Sequence, residues 1–458
     1  MKTKIIQFTI AAVIPLIIFA CDNFTEVDLP QSQLSGTAVF QNPSTANAAL
    51  ADIYARIRET GFASGNNVSA TMLLANYADE LDFYGSNTDF EQFNKHLLLP
   101  SNGVLSQMWN DSYGQIYAAN ALMEGVQNSA AITGEDRDRL IGEALFIRAY
   151  VHFYLVNLFG DVPYVTTTDY NVNSVIHKTP QAQVYALILN DLETAASLLP
   201  VSYPTGERVR ANKAVVTAFK SRVYLYMQDW PEAESHATSI INNPDYNWEP
   251  NPALVFLKDS PSIIWSLHPG IAGLNTNDAR TFAIFNGPPI KPTLSENLYN
   301  AFEPGDVRKA LWIKTVTDGT VNYYQPFKYQ KDTSTPTSEE YTVLLRLEEQ
   351  YLIRAEARAH LGDISGAQDD LDRSRNRAGL QNTTASTTAE LLTAILNERR
   401  FELFTEQGQR WLDLKRTGNA AAALSAIKPG WQDTDILWPI PAQELVLNSN
   451  LLPQNPGY

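Results

Sequence analysis

The chain has 458 residues, 34 Lys and Arg against 50 Asp and Glu, a formal net charge of −16 at pH 7 and one cysteine. This length supports one large core or two to three domains, and a single cysteine excludes internal disulfide bonds as a source of stability. The acidic balance argues against nucleic acid or anionic lipid as a partner of the folded part and favours neutral ligands.

The first twenty residues have the basic start and the apolar run that are typical of an export signal. Two lysines precede a mostly apolar run that ends at Ala20, and this run is too short and too interrupted for a membrane span. Cys21 follows, and a small residue before it suits a signal peptidase that cuts in front of a lipid-modified cysteine. We therefore expect residues 1–20 to be a lipoprotein signal peptide, Cys21 to carry the lipid and residues 21–45 to form a tether. The alternative is an ordinary secretion signal that happens to contain cysteine.

Beyond the tether, apolar residues recur at helical spacing. This period predicts helices over 45–61, 105–127 and 139–160, of which the third is apolar nearly all round and should be buried. Trp109, Tyr113 and Tyr117 lie at helical spacing on the second of these helices, so we expect all three to be core residues.

Two further segments repeat each other without a gap. They are residues 213–244 and 347–379, and aligning Ser221 with Ala355 places Asp229 over Asp363. Small residues at shared places let paired helices approach closely, as in tetratricopeptide repeats. Two more helix pairs can be drawn, 139–160 with 180–199 and 388–404 with 406–426. The sequence thus predicts a mainly α-helical scaffold of tetratricopeptide-like pairs, with residues 46–244 as its N-terminal part.

From residue 245 to residue 340 the helical period is mostly lost. Pro, Gly and Asn cluster in "FNGPPIKP" and "DTSTPTS", between short strand-like runs such as "SIIWSLH" and "VNYYQPFKY". Long insertions of this kind are frequently functional, so residues 245–340 are the predicted ligand-binding insertion. Residues 341–458 are predicted to resume the helical scaffold and to close with an extended tail.

Five motifs resemble the SusD/RagB family of Bacteroidota surface lipoproteins, in the order of that family: "RAYVHFYLVNLFGDVPYV", "KSRVYLYMQDWPEA", "RLEEQYLIRAEARAHLGD", "NERRFELFTEQGQRWLDLKRTG" and "WPIPAQELVLNSNLLPQNPGY". The resemblance implies four tetratricopeptide-like helix pairs and a lipid anchor at the outer face of the outer membrane. It also implies that the protein covers a SusC-like TonB-dependent transporter, captures oligosaccharides, or in some members peptides, and passes them inward. The partner face is expected to be the helix pairs.

The sequence has no catalytic signature. The six histidines show no metal-ligand spacing, and nucleophile-elbow and phosphate-loop motifs are absent. The acid pairs Glu348-Glu349 and Asp369-Asp370 are typical of solvated helix faces, and the charges of "NERRFELF", residues 397–404, suit ion pairs within one helix. We expect no enzyme activity, no metal and no cofactor.

A surface sugar binder needs aromatic faces on exposed loops, with amides or charged groups for the hydroxyls. Trp411 and Trp438 lie in packing motifs and do not meet this condition. The candidates are Phe83 and Tyr84 with Asp82 and Asn87, and, in the insertion, Phe282, Phe285, Trp312, Tyr323 and Tyr324 with Arg280 and Asn286.

Three other functions remain open at this point. A peptide-binding member of the same family would bind main-chain amides instead of sugar rings. A surface glycosidase would need two carboxylates roughly 5 to 10 Å apart across a cleft. In a scaffold without a ligand, the aromatic residues of the loops would be buried.

Overall fold

A computed structural model describes residues 36–458. The expected signal peptide, Cys21 and the tether as far as residue 35 lie outside the described residues. No helix within 36–458 is long and apolar enough to cross a membrane.

Helices make up most of the described structure, and the predicted mainly helical fold is confirmed. The α-helices are α1 (Gly36–Val39), α2 (Pro43–Glu59), α3 (Ala70–Tyr77), α4 (Thr88–Lys95), α5 (Gly103–Gln127), α6 (Gly134–Phe159), α7 (Tyr170–Asn173), α8 (Gln181–Leu198), α9 (Lys213–Met227), α10 (Trp230–Ile241), α11 (Asn277–Phe282), α12 (Glu296–Ala301), α13 (Val307–Leu311), α14 (Leu347–Leu361), α15 (Ile364–Arg377), α16 (Thr388–Glu402), α17 (Gln409–Arg416), α18 (Ala420–Leu424) and α19 (Ala442–Leu447). Short 3₁₀ turns cover Pro252–Leu254, Asp433–Ile436 and Ser449–Leu451.

The helices pack as the predicted pairs. Helix α6 packs against α5 and α8, α9 against α10, and α14 against α15 and α10. From residue 142 to residue 159, every side chain of α6 is buried. The fourth pair differs from the prediction, because a turn over residues 417–419 separates α17 from α18 where one continuous helix was expected.

The shared register of the two repeated pairs has a local cause. Each first helix ends on a residue in the left-handed conformation, Gln228 with φ 60° and Gly362 with φ 85°. The next residue, Asp229 or Asp363, caps the following helix, accepting a hydrogen bond from the main-chain N–H of Glu232 or Gly366. The same turn followed by the same cap therefore begins α10 and α15.

The strands join the insertion to both helical regions. They are β1 (Leu81–Asp82), β2 (Ile263–Leu267), β3 (Thr293–Leu294), β4 (Ile313–Thr317), β5 (Asn322–Pro326) and β6 (Thr342–Arg346). One antiparallel sheet has the order β1-β3-β5-β4, and β2 pairs with β6. The two strand-like runs predicted in the insertion thus form β2 and β5. Strand β1, from the N-terminal region, completes the first sheet, and strand β6, from the C-terminal region, completes the second.

One of the three aromatic residues on α5 departs from its prediction. Trp109 is buried and Tyr113 is partly buried, but the side chain of Tyr117 is 54% exposed. The expectation that all three belong to the core is therefore wrong for Tyr117. It lies two turns from Trp109, at the place where the helix surface turns toward solvent.

The carboxylates of the two acid pairs are structural, but three of the four are not solvated. Glu348, Glu349 and Asp370 are buried, whereas Asp369 is exposed as expected. The buried acids pair with arginines of other segments: Glu348 with Arg346 and Arg377, Glu349 with Arg222, and Asp370 with Arg354 and Arg358.

The charges of "NERRFELF" also pair away from their own helix. Arg399 binds Asp413 and Arg400 binds Asp79, so the expected ion pairs within one helix are wrong. Glu398 and Glu402 both contact Arg308, which belongs to the insertion. These residues fix the insertion to α16.

Candidate functional site

The four-stranded sheet brings together two loops that are far apart in the sequence. Leu81 of β1 pairs with Leu294 of β3, and Leu294 pairs with Tyr324 of β5. Phe83 and Tyr84 follow β1 directly, so the first predicted cluster of aromatic residues lies beside the insertion.

Tyr84 is the aromatic residue that joins the two clusters. Its side chain is 44% exposed, and its ring meets the Tyr323 ring edge to face with 5.5 Å between centroids. The Tyr323 hydroxyl donates to Asp318 Oδ2 at 3.0 Å, which fixes the second ring. Partial burial and the neighbouring Asp82 raise the pKa of the Tyr84 hydroxyl, which stays protonated and able to donate.

Two glycines let the insertion approach these rings closely. A Cβ on Gly85 would lie 3.4 Å from the carbonyl oxygen of Ile290, and a Cβ on Gly287 would lie 2.9 Å from Tyr323 Cε2. The second distance leaves no room for a side chain. The segment from residue 285 to residue 292 is therefore pressed between the loop after β1 and the β4–β5 hairpin.

Between these segments lies a cleft of about 440 Å³, here called the loop cleft. It is lined by Asn67, Met72, Asn76, Phe83, Tyr84, Gly85, Ser86, Asn87, Phe90, Ile290, Lys291 and Pro292. This volume falls in the usual range for small-ligand sites. Phe83 and Tyr84 on one side and Ile290 and Pro292 on the other give the cleft apolar walls.

The polar groups of the loop cleft differ in how many of their atoms already form hydrogen bonds within the protein. Asn76 donates to the Phe90 carbonyl oxygen and accepts from Asn94, so it is held in place. Asn87 Oδ1 caps α4 by accepting from the N–H groups of Asp89 and Phe90, which leaves its Nδ2 group for a ligand.

One cation stands at the edge of the loop cleft. Lys291 Nζ donates to the carbonyl oxygen of Arg280 at 2.7 Å, and burial lowers the pKa of this lysine. Among the described residues that line the cleft there is no carboxylate. The lining thus combines aromatic faces with amide and hydroxyl groups and can hold an uncharged, hydroxyl-rich ligand.

The structure places the predicted site residues in three groups. Phe83, Tyr84 and Asn87 line the loop cleft, with Asp82 just before them in β1. Phe285 is 76% exposed beside the exposed Asn286, and both precede the far wall without lining the cleft themselves. Arg280 lies in a neighbouring hollow of about 350 Å³ that it shares with Arg58 and Asn277.

Other predicted aromatic residues present no free face. Trp312 is 1% exposed, with its indole N–H donating to the Pro252 carbonyl oxygen at 3.0 Å, and Phe282 is buried in the same core. The expectation of exposure is wrong for both residues. It is also wrong for Tyr323, whose ring is buried against Tyr84.

Tyr324 is half-buried, and one face of its ring is already occupied. It stacks on the Tyr299 ring with 3.6 Å between centroids and 10° between ring planes. Lys309 covers the Tyr299 ring in turn, with its Nζ 3.9 Å from the ring centroid. Tyr324 therefore supports the sheet beneath the site.

Sequence reasoning missed Asn67, Phe90, Ile290, Lys291 and Pro292. The last three belong to the Pro-rich stretch recognised as irregular, but only the pairing of β1 with β3 shows that this stretch faces Tyr84. Asn67 and Phe90 carry no signal of their own, because an isolated amide and a helical phenylalanine are common everywhere.

Two family models match the chain. Residues 30–225 match a model described as "Starch-binding associating with outer membrane", and residues 295–458 match a model described as "SusD family". A curated relative, SusD-like protein P2 of Formosa agariphila, is 27% identical in an alignment that covers 97% of this chain and 98% of the relative.

Solved structures have the same fold. A SusD superfamily protein from Bacteroides vulgatus superposes with a TM-score of 0.80 at 21% identity, covering 91% of this chain and 99% of the other. A structure described as a laminarin binding SusD-like protein has a TM-score of 0.76 at 25% identity and covers 91% of this chain and 100% of the other.

Proposed function

Because the chain belongs to the SusD/RagB family, we propose that it captures an oligosaccharide at the cell surface and delivers it to a SusC-like TonB-dependent transporter of the outer membrane. Capture takes place in the loop cleft and involves no chemical reaction. The observation that carries this proposal is the convergence of Tyr84, Phe83 and residues 290–292 on one cleft.

The chemistry of the loop cleft suits a sugar. A pyranose ring has an apolar C–H face, which stacks on an aromatic side chain, and an edge of hydroxyls, which bond to amides. Tyr84 offers the partly exposed ring, and Asn87 Nδ2 and Ser86 offer donors beside it. The walls are fixed by strand pairing and close glycine contacts, so little conformational entropy is lost on binding.

The residues that line the loop cleft fit a sugar-binding protein better than a glycosidase. Glycosidases use two carboxyl groups on opposite sides of the scissile bond. In the described part of the chain, no Asp or Glu lines the loop cleft, and Asp82, two residues before Tyr84, is the last residue of β1. Release of reducing sugar from a polysaccharide by the pure protein would contradict a purely binding role.

Anchoring through Cys21 belongs to the same proposal. The basic start, the apolar run and the single cysteine support it, as does the outer-membrane description of the N-terminal family model. The helix pairs are the proposed contact with the transporter, because paired-helix scaffolds commonly bind proteins on their grooves. Recovery of the transporter from native membranes without this chain would count against the partnership.

The test is affinity electrophoresis of the full-length chain in detergent micelles, through gels that contain laminarin, starch or pectin, followed by calorimetry on any polysaccharide that retards it. Tyr84→Ala should weaken binding roughly tenfold, because truncating an aromatic anchor commonly removes more than 1 kcal/mol. Tyr84→Phe is the matched control, since it keeps the ring, and should retain most of the affinity.

Trp312→Ala separates packing from binding. Because Trp312 is buried, its truncation should cost about 3–5 kcal/mol of unfolding free energy, measured by urea denaturation, whereas Tyr84→Ala should cost far less. Unchanged migration of Tyr84→Ala beside a retarded parent would overturn the loop cleft as the capture site.

A further inference from the structure

A second groove lies on another face of the molecule. It is formed by α5, by the segment from residue 163 to residue 176 that contains α7, and by the C-terminal tail around α19. We call it the tail groove. Its volume is about 380 Å³, close to that of the loop cleft, and the two share no lining residue.

Hydrogen bonds between the tail and the α7 segment hold the groove in shape. Asn448 Nδ2 donates to the Ile176 carbonyl oxygen at 2.8 Å, and Asn450 Nδ2 donates to the Val175 carbonyl oxygen at 2.7 Å. Lys178 Nζ donates to the carbonyl oxygen of residue 453 at 2.6 Å. The groove is therefore formed before any ligand arrives.

Aromatic side chains line the groove from floor to rim. Trp109 is buried at the floor, and Tyr113 donates its hydroxyl to the Pro163 carbonyl oxygen at 3.0 Å. At the rim, Tyr117 is 54% exposed and Tyr170 is 78% exposed. Neither rim ring stacks on another ring within the described residues. Two tyrosine faces are thus available to a ligand without any rearrangement.

The polar groups of the tail groove are almost all uncharged. Asn110, Asn173, Ser174 and Asn448 line it, with Glu444 as its single ionisable acid and no Lys, Arg or His. Burial raises the pKa of Glu444, and the Trp109 side chain hydrogen-bonds to its carboxyl group, which limits this increase. Amides and tyrosine hydroxyls beside free rings suit a neutral, polyhydroxylated ligand.

The tail groove continues into a second hollow. Tyr117 also lines a neighbouring hollow of about 600 Å³, together with Phe40, Glu124 and Thr168. The Glu124 carboxylate accepts from both the main-chain N–H and the hydroxyl of Thr168, so its oxygens are engaged. The tail groove and this hollow together form a long, open groove with the Tyr117 ring at its middle, which suits a linear ligand.

We propose that the tail groove is a second glycan-binding site, in which Tyr117 and Tyr170 stack on sugar rings of a neutral polysaccharide chain. It goes beyond capture at the loop cleft, because two separated sites on one molecule let it hold a long chain at two points. Two linked weak contacts then give a higher overall affinity than either contact alone.

The test uses four forms of the full-length chain in detergent micelles: the parent, Tyr84→Ala, Tyr117→Ala with Tyr170→Ala, and all three changes together. Each is run through gels containing the polysaccharide that retards the parent, or laminarin first. We expect each of the first two variants to lose roughly tenfold in affinity and the triple variant to migrate as in a plain gel. Because both rim residues are exposed, their truncation should leave the unfolding free energy nearly unchanged.

Two outcomes decide between the sites. If the Tyr117 and Tyr170 variant migrates like the parent and the triple variant like Tyr84→Ala, the second site is overturned while the loop cleft stands. If Tyr84→Ala migrates like the parent and the Tyr117 and Tyr170 variant is no longer retarded, the second site stands and the loop cleft fails. Retention should also change little with added salt, because the proposed contacts are uncharged.

A matched variant separates sugar binding from protein docking. Val446 is exposed next to the groove but does not line it. Val446→Ser should leave retardation by the polysaccharide unchanged. If Tyr117→Ala with Tyr170→Ala leaves retardation by the polysaccharide unchanged and instead releases a co-purifying membrane protein, the groove is a protein contact and the glycan proposal is overturned.

Discussion

Glu80 is a carboxyl group in an unusual setting, immediately before the β1 strand that leads to the site. It is buried, and its Oε1 accepts a hydrogen bond from the Thr405 N–H at 3.1 Å. Burial and the neighbouring Asp79 raise the pKa of Glu80 to about 8. Asp79 itself forms ion pairs with Arg410 and Arg400, so it remains the charged member of the pair.

This raised pKa makes the stability of the chain depend on pH. The folded state holds the Glu80 proton up to about pH 8, whereas the unfolded state releases it near the ordinary value of 4.5. Between these values the folded state binds more protons, so the contribution of Glu80 to unfolding free energy falls as pH rises, by up to about 1.4 kcal/mol per pH unit. Glu80→Gln removes this contribution. Its stability relative to the parent should therefore rise from pH 5 to pH 8, as measured by urea denaturation.

The exposed Glu59 offers a matched control for that measurement. Glu59→Gln should differ from the parent by a small amount that does not vary over the same pH range. A constant difference between Glu80→Gln and the parent from pH 5 to pH 8 would contradict the raised pKa.

At the scale of single residues, the sequence predicted the exposure of some candidate residues correctly and that of others wrongly. Tyr84 and Phe285 were expected to be exposed, and they are. Trp312 was expected to be exposed because its segment lacks a period, but an irregular segment gives no indication of which side chains turn inward. Trp312 follows directly on α13, and its ring packs on Phe256 and Phe404. Those contacts cross long stretches of sequence and leave no local pattern.

Among the elements, α16 holds the insertion through buried ion pairs. Its last residue, Glu402, is fully buried and contacts Arg308 at 2.9 Å, Arg346 at 2.6 Å and Arg377. Burial alone would raise the pKa of Glu402, but these guanidinium groups hold it below its ordinary value. Lys328 of the insertion donates to the Glu402 carbonyl oxygen at 2.8 Å. One carboxylate thus joins the insertion, β6 and α15.

Removing that charge should be costly. Glu402→Gln leaves three buried arginines without their shared anion, and breaking a buried ion pair typically costs about 3–5 kcal/mol. We expect a loss of this size in the unfolding free energy, measured by urea denaturation. Asp52→Asn, which breaks the exposed pair with Arg56, is the control and should cost under about 1 kcal/mol.

A loss below about 1 kcal/mol for Glu402→Gln would show that this network does not fix the insertion.

The helices were predictable from their 3.6-residue period, and "NERRFELF" was predicted to be structural. Its ion-pair partners could not be predicted, because Arg308 and Glu402 are brought together only by the packed fold. Helix pairing within a repeat is local, and such ion pairs are not.

At the scale of the whole molecule, strand pairing joins the insertion to both helical regions. Strand β1 of the N-terminal helical region pairs with β3 of the insertion, and β2 of the insertion pairs with β6 of the C-terminal region. The domain boundaries expected at residues 245 and 340 remain predictions. Because strands from both flanking regions complete the two sheets, the insertion is not free to unfold alone.

We therefore expect one cooperative unfolding transition. Pulse-labelled hydrogen exchange across a urea gradient should give the same midpoint for peptides from residues 245–340 and for peptides from α6 and α14. Glu402→Gln should lower all of these midpoints together. An insertion that exchanges fully at urea concentrations where α6 is still protected would contradict this expectation.

The pairing of Leu81 with Leu294 has a consequence for how the protein matures. The two walls of the loop cleft are made about 200 residues apart, and contacts at such separation form slowly. During synthesis from the N-terminus, Phe83 and Tyr84 emerge long before the segment that faces them. The acid that fixes the insertion, Glu402, emerges later still. The loop cleft is thus among the last features that a newly made molecule acquires, and a chain cut short before α16 would have the aromatic rings but no fixed cleft.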